Sequence, residues 1–342
     1  MSKLDSKPQI WKLAVDLGLG STGTPVSDIV RFAKTRVRNV AHKFGSSSLG
    51  ALLEATSAEV GTSFEEIHSD KDLLNLQSKY YNLGEKVFAN LGNELNAQGY
   101  AITLKRQNPA KWDRPYISII DCRGEKSART YFSKWHELAH LLTLTQQMRI
   151  VFRRTHGTAA VDAEEALMDI IAGEVGFLAD FVPSQDIGEL SFEAIEAIRQ
   201  QISLDASYQS ASIGIVKASP RPCILIEARL AVRKCEERNH EQLRLPISGH
   251  AKPTPVLRAV HVTVNETAHQ MGIYLPKNWR VPTQSVISSV FETGGSGRAE
   301  ENLNWWRTTT GGQLPNKPVK VQARRVRDSA IALLIPQGEG DN

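Results

Sequence analysis

Residues 131–142 read YFSKWHELAHLL, two histidines four positions apart with a glutamate directly after the first, inside an apolar run. A helix turns by about 100° per residue, so His140 falls about 40° round from His136 and the two share a face. Trp135, Leu138, Ala139 and Leu142 fall on the opposite side. Two core histidines would sit among those apolar residues; a separate histidine face points to metal ligation instead. Glu137 lies about 100° from His136, beside the pair, where a carboxylate serves as a base on water without itself occupying the metal.

Zinc hydrolases of this pattern use three protein ligands and leave a fourth position open, so a third ligand is expected on another element. The stretch VDAEEALMDIIAGEVGFLADFVP, residues 161–183, supplies it. Measured from Glu165, Asp169 is about 40° round and Ala172 about 20° the other way. Leu167, Met168, Ile170, Ile171 and Val175 form the apolar face, and Glu164 and Glu174 turn toward it or its margin. Glu165 is therefore the expected third ligand to Zn2+, with His136 and His140. Asp169 is placed to accept the free ring N–H of a ligating histidine, which fixes its tautomer and raises its basicity.

Working outward, the chain divides into three blocks. Residues 1–183 carry helical patterns, the clearest being DLLNLQSKYYNLGEKVFANLGNELN, where Leu73, Leu76, Tyr80, Leu83, Val87, Leu91 and Leu95 recur every three or four positions. YAITL and PYISIIDC follow as two strands, and Ser127 is placed to cap the histidine-bearing helix. Residues 184–218 hold two short helical patterns separated near Leu204 to Ser207, compatible with a helix-turn-helix-like unit or any helical hairpin. From 219 to 342 the texture changes to strands, RPCILIEARLAV, LRAVHVTV, SVISSVFETGGSG, VKVQARRV and SAIALLIP, with GGSGR at 294–298 read as a hairpin loop. The expected class is α+β.

The two helical motifs together resemble the ImmA/IrrE-type metallopeptidases. Arg129 and Phe132 match that family's residues upstream of the His-Glu-x-x-His run, and Glu165, Asp169, Ala172 and Glu174 match its later helix. Ala139 stands where the family often has Gly, Gly173 where it often has Ala, and Phe177-Leu178 where it often has Met-Pro; none of these removes a ligand. The resemblance is firm over about residues 70–183 and looser over the helix-turn-helix-like block and a GAF-like C-terminal domain. It implies a zincin-like fold and cleavage of a helix-turn-helix repressor in DNA-damage, mobile-element or phage-defence control, with single-stranded DNA as a signal in some systems.

The chain's other features set bounds. A length of 342 residues accommodates two or three domains. No long apolar window and no N-terminal signal pattern is present, so no membrane association is expected. Three cysteines, an odd number without paired spacing, fit a reducing cytoplasm. Cys122 ends the strand leading to the histidine helix, and a thiolate there is a candidate inhibitory fourth zinc ligand, against the plain alternative of a small packed cysteine. The net charge of +4 is mild, but basic residues cluster at Arg31, Lys34, Arg36, Arg38 and Lys43 and again from Lys317 to Arg327. In the latter, Lys320, Arg324 and Arg327 are candidate nucleic-acid contacts, with a solvated face as the alternative. Tyr131 and His156 are candidates for an oxyanion-stabilising group. Two function classes follow: a regulatory zinc endopeptidase with Glu137 as base, or a DNA- or ligand-binding regulator on a catalytically silent scaffold. Retention of Glu137 favours the first, because a structural zinc takes a fourth protein ligand and needs no base.

Overall fold

A computed structural model describes residues 3–20, 23–95, 99–144, 163–182, 190–232, 254–307 and 312–337. The protein is mixed α+β. Its contacts divide it into two units, Met1–Phe181 with Arg199–Gly214, and Val182–Ile198 with Ile215–Asn342. The expected middle segment is shared between them: the division passes through both of its helices, Phe192–Ile202 and Tyr208–Ala218.

The first unit opens with α1 (Pro8–Asp16), α2 (Pro25–Phe44) and α3 (Leu49–Val60). Proline in the first turn pre-sets φ for α1 and α2. Gly45 and Gly61, both left-handed, end α2 and α3. Ile29, Ala33, Val37 and Val40 form the buried stripe of α2. Its basic residues have partners within the chain. Lys34 pairs with Glu174 at 2.9 Å, Arg38 with Asp180 at 2.7 Å and Lys43 with Glu59 at 2.7 Å. Arg31 pairs with Asp28, and Arg36 donates to the Leu142 carbonyl.

Next come β1 (Thr62–Ile67), α4 (Asp70–Asn82), α5 (Leu91–Glu94), β2 (Ala101–Lys105) and β3 (Tyr116–Asp121). The sheet order is β1-β3-β2, with β1 parallel and β2 antiparallel to β3. The continuous helix expected from residue 72 onward is broken: α4 stops at Asn82, Gly84 takes φ +81°, and a 3-10 turn runs over Lys86–Asn90. Beyond that break Glu85 turns fully inward and accepts the backbone N–H groups of Gln107 at 2.6 Å and Asn108 at 3.2 Å. Phe88 stacks on Tyr80 at 4.1 Å. The apolar periodicity thus persists across two short helical pieces.

Alternation gives the sheet two faces. Ile67, Ile102, Leu104, Ile117 and Ile119 pack with Leu73, Leu76 and Tyr80 of α4. The other face carries Thr62, Thr103, Ser118, Ile120 and Cys122 and meets α6 (Thr130–Leu142), which packs on β2 and β3. Ser127 does not cap α6: a 3-10 turn, Gly124–Arg129, precedes it, and the Ser127 hydroxyl donates to Gly124 O. The unit continues with α7 (Ala163–Val175), which packs on α6 and α2. The helical pair follows as α8 (Phe192–Ile202) and α9 (Tyr208–Ala218), with the Arg199 guanidinium closing the turn onto the carbonyls of Leu204 and Ala206.

The second unit contains β4 (Ile224–Ala231), β5 (Val256–Val264), α10 (Glu266–Gln270), α11 (Val286–Thr293), β6 (Ser296–Asn302), β7 (Pro318–Val326) and β8 (Ser329–Pro336). Its sheet is antiparallel, in the order β5-β4-β8-β7-β6. The stretch from Ser285, expected as a strand, is helical in its first part. Ser285 Oγ accepts from Ile287 N, and the buried Glu301 carboxylate accepts from Val286 N at 2.7 Å, so side chains satisfy the first turn. GGSGR is not a hairpin loop: Gly294 and Gly295, at φ +84° and +76°, turn α11 into β6. Among the described residues no helix is long and apolar enough to cross a membrane.

One close approach in the first unit is testable. A Cβ on Gly214 would lie 2.2 Å from Phe177 Cγ, and that ring is tilted against Tyr131 of α6 at 5.6 Å. Gly214→Ala should destabilise the protein by about 1–3 kcal/mol through overpacking, read as a lower denaturation midpoint. An unchanged midpoint would mean that the Phe177 ring moves aside freely.

Candidate metal centre

α6 presents different side chains to two neighbours. Toward α7 it turns His136 and His140; toward the sheet it turns Thr130, Lys134 and Glu137. Trp135 and Leu138 are wholly buried between.

The donor atoms of His136, His140 and Glu165 lie within 4.8 Å of one another and form a candidate metal-binding group. His136 Nε2 is 3.2 Å from His140 Nε2 and 3.3 Å from Glu165 Oε2, and His140 Nε2 is 3.4 Å from Glu165 Oε1. The other ring nitrogen of His136, Nδ1, is 2.8 Å from Asp169 Oδ1. That contact fixes which nitrogen faces the group, as a carboxylate behind a ligating histidine does. The four-residue spacings on both helices, His136 to His140 and Glu165 to Asp169, produce this convergence.

Glu137 stands apart from the three. Its carboxylate is fully buried and accepts a hydrogen bond from Thr103 Oγ1 of β2 at 2.7 Å. Behind Thr103 runs a row of buried hydroxyls: Thr103 to Ser118 at 2.7 Å and Ser118 to Thr62 at 2.8 Å, one from each strand. Nothing in the sequence pattern singled out Thr103; its only signal is a polar residue inside an apolar strand.

Other expected residues fall elsewhere. Cys122 is not brought to the histidines. Its thiol lies 3.1 Å from Thr130 Oγ1, at the first residue of α6, six residues and about 9 Å along the axis before His136. It therefore cannot be the fourth ligand there, because β3 ends over the start of α6 rather than over its middle. Burial pushes the Cys122 thiol pKa up, opposed by the Thr130 hydrogen bond and reinforced by Glu66. Tyr131 is buried in α6, and its hydroxyl donates to Gly176 O at 2.6 Å. Burial raises its pKa, and it points away from an oxyanion role at the histidine group. His156 lies outside the described residues. Of the motif residues, Arg129 stacks over Tyr100 at 4.4 Å, Phe132 lies 6.4 Å from the His136 ring, and Glu174 is held by Lys34.

In the second unit the three basic candidates separate. Lys320 and Arg324 share a face of β7, but the Arg324 guanidinium stacks on Phe192 at 4.6 Å, and Arg327 sits exposed in the turn after the strand. Lys320 instead borders a cleft of about 540 Å³ with Leu190, Arg298, Glu300, Gln322 and Ile335. No protein-family model matches the chain, and no curated protein matches it.

The converging triad should bind a divalent metal. His140→Ala or Glu165→Gln should strongly reduce bound metal after reconstitution, whereas Asp169→Asn should keep the metal with about 10–100-fold weaker affinity. Chelator competition followed by metal analysis measures both. Equal affinity in the Asp169 variant would detach that residue from the site.

Proposed function

We propose that the chain is a zinc-dependent endopeptidase whose first unit is zincin-like. The observation that carries this reading is the convergence of three side chains: the two histidine Nε2 atoms are 3.2 Å apart, and they lie 3.3 and 3.4 Å from Oε2 and Oε1 of the Glu165 carboxylate respectively. A tetrahedron built on Zn–N and Zn–O bonds of about 2.0–2.2 Å has edges of about 3.3–3.6 Å, so the residues present fit that ion. When bound, zinc supplies Lewis acidity toward a carbonyl and makes water a nucleophile near neutral pH. His136 and His140 would hold it through Nε2 and Glu165 through its carboxylate. Glu137 is the proton carrier: it takes a proton from the attacking water and returns it to the leaving amine. Thr103 orients its carboxylate through one oxygen, and burial keeps bulk water from competing for that bond.

The resemblance to ImmA/IrrE-type metallopeptidases supports a helix-turn-helix repressor as substrate. On that reading the second unit is a GAF-like sensor of DNA damage or a related signal, with single-stranded DNA as a candidate activator. The cleft beside Lys320 and Arg298 favours a second reading, a DNA- or ligand-binding regulator without catalysis.

Zinc-loaded protein incubated with a helix-turn-helix repressor encoded by a neighbouring gene should yield one new N-terminus by mass spectrometry. Glu137→Gln should keep its zinc and lose cleavage by at least about a hundredfold, the scale of general-base catalysis. Undiminished cleavage in that variant would falsify Glu137 as the base. The second reading has its own measurement. Single-stranded DNA affinity, followed by fluorescence anisotropy, should fall steeply with salt and weaken in Arg298→Glu with Lys320→Glu; no binding by the parent protein excludes DNA as its ligand.

A further inference from the structure

The polar face of the first sheet carries a second convergence of metal-ligating groups, where β1 and β3 end. Glu66 is the penultimate residue of β1, His68 comes directly after that strand, and Cys122 comes directly after β3. The parallel pairing of those strands, with Ile67 opposite Asp121, brings all three to one corner. Their donor atoms lie within 4.8 Å of one another. Glu66 Oε2 is 3.2 Å from His68 Nε2 and 3.9 Å from Cys122 Sγ.

We infer that Glu66, His68 and Cys122 form a second metal site, separate from His136, His140 and Glu165, that takes a thiophilic divalent ion of the zinc class. Zinc bonds of about 2.3 Å to sulfur and 2.0–2.2 Å to nitrogen or oxygen require donor separations of about 3.3–3.7 Å. The two Glu66 separations, 3.2 and 3.9 Å, bracket that range, and all three donors lie within 4.8 Å of one another. A sulfur, an imidazole and a carboxylate select a borderline-soft ion over magnesium or calcium, which take oxygen donors. The charges also match. A thiolate and a carboxylate supply two negative charges to the ion, the carboxylate shared with Lys134, and coordination by Cys122 releases its thiol proton to solvent.

The surroundings leave the donors usable. Lys134 of α6 holds the other Glu66 oxygen, Oε1, at 2.7 Å, and so fixes the carboxylate with Oε2 turned to His68 and Cys122. The side chains of His68 and Glu66 are 64% and 33% exposed, so an ion enters from solvent and a fourth position stays open to water. Thr130 and Lys134, the α6 residues touching this corner, lie on the sheet-facing side of the helix that carries Glu137. An ion there would pin the ends of β1 and β3 at the start of the helix that bears the first site.

Cobalt(II) is the probe, because a thiolate ligand gives a sulfur-to-cobalt charge-transfer band that histidine and carboxylate ligands do not. Chelator-treated full-length protein titrated with cobalt should show this band. A His136→Ala, His140→Ala double variant should keep it, which separates this site from the proposed catalytic one. Cys122→Ser should abolish the band and lower zinc content from about two ions per chain to about one. His68→Asn, at an exposed position, should weaken cobalt affinity by about tenfold or more. The proposal is overturned if the parent shows no band, if the band survives Cys122→Ser, or if His68→Asn binds cobalt as tightly as the parent.

Discussion

A carboxyl group taken fully out of water is tolerated only where hydrogen-bond partners replace its hydration, and Glu137 is such a group. Its hydrogen bond from Thr103 fixes the rotation of α6 against the sheet. With Glu137 turned toward β2, helical geometry leaves His136 and His140 no choice but the neighbouring face, where α7 brings Glu165 and Asp169. The same rotation places Lys134 and Thr130, three and seven residues earlier, over the ends of β1 and β3. The hydroxyl row Thr62, Ser118 and Thr103 is the sheet's half of this arrangement, which explains three polar residues at the centre of an otherwise apolar layer.

That rotation also explains what the sequence could and could not reveal. The spacing of His136, His140, Glu165 and Asp169 was legible because each pair lies on one helix, and four residues make nearly a full turn whatever the helix packs against. β1 was not legible. Its side chains at Thr62, Phe64 and Glu66 face a polar row and a helix rather than an apolar core, so TSFEEI lacks clean alternation of apolar and polar residues. Without β1 the sequence leaves Cys122 open between a zinc ligand and a small packed cysteine, because the corner it occupies exists only through the parallel pairing of β1 with β3.

The other departures share a cause, local preference overridden by a distant charge. SVISSVFET is rich in β-branched residues and reads as a strand, yet Glu301, on β6, caps its first turn, and Ile287 with Val290 then supplies a helical apolar stripe. The break after Asn82 follows the same logic. The apolar spacing runs unbroken through Leu83 and Val87, but Glu85 is drawn to the backbone of Gln107 and Asn108, more than twenty residues later. Single-element periodicity carries no information about either carboxylate's partner.

The basic run on α2 shows how charge in a sequence acquires meaning only with the fold. As a string, Arg31 to Lys43 is equally compatible with solvent, nucleic acid or internal pairing. In the structure Lys34 reaches Glu174 on α7 and Arg36 reaches the last carbonyls of α6, at Leu142. A cation at a helix C-terminus satisfies an orphan carbonyl and opposes the negative end of the helix dipole. Two residues of α2 thereby hold both helices that supply the three donor side chains, one at the end of α6 and one at the last turn of α7. Such contacts, one ion pair and one hydrogen bond to a carbonyl, are individually weak, worth about 1 kcal/mol each. Their effect on the site is positional: a small relative shift of α6 and α7 would open the 3.3 and 3.4 Å separations that join the histidines to Glu165. The affinity of any metal held there would depend on those separations, so weak contacts far from the donors gain a leverage over the geometry that no count of their energies would suggest.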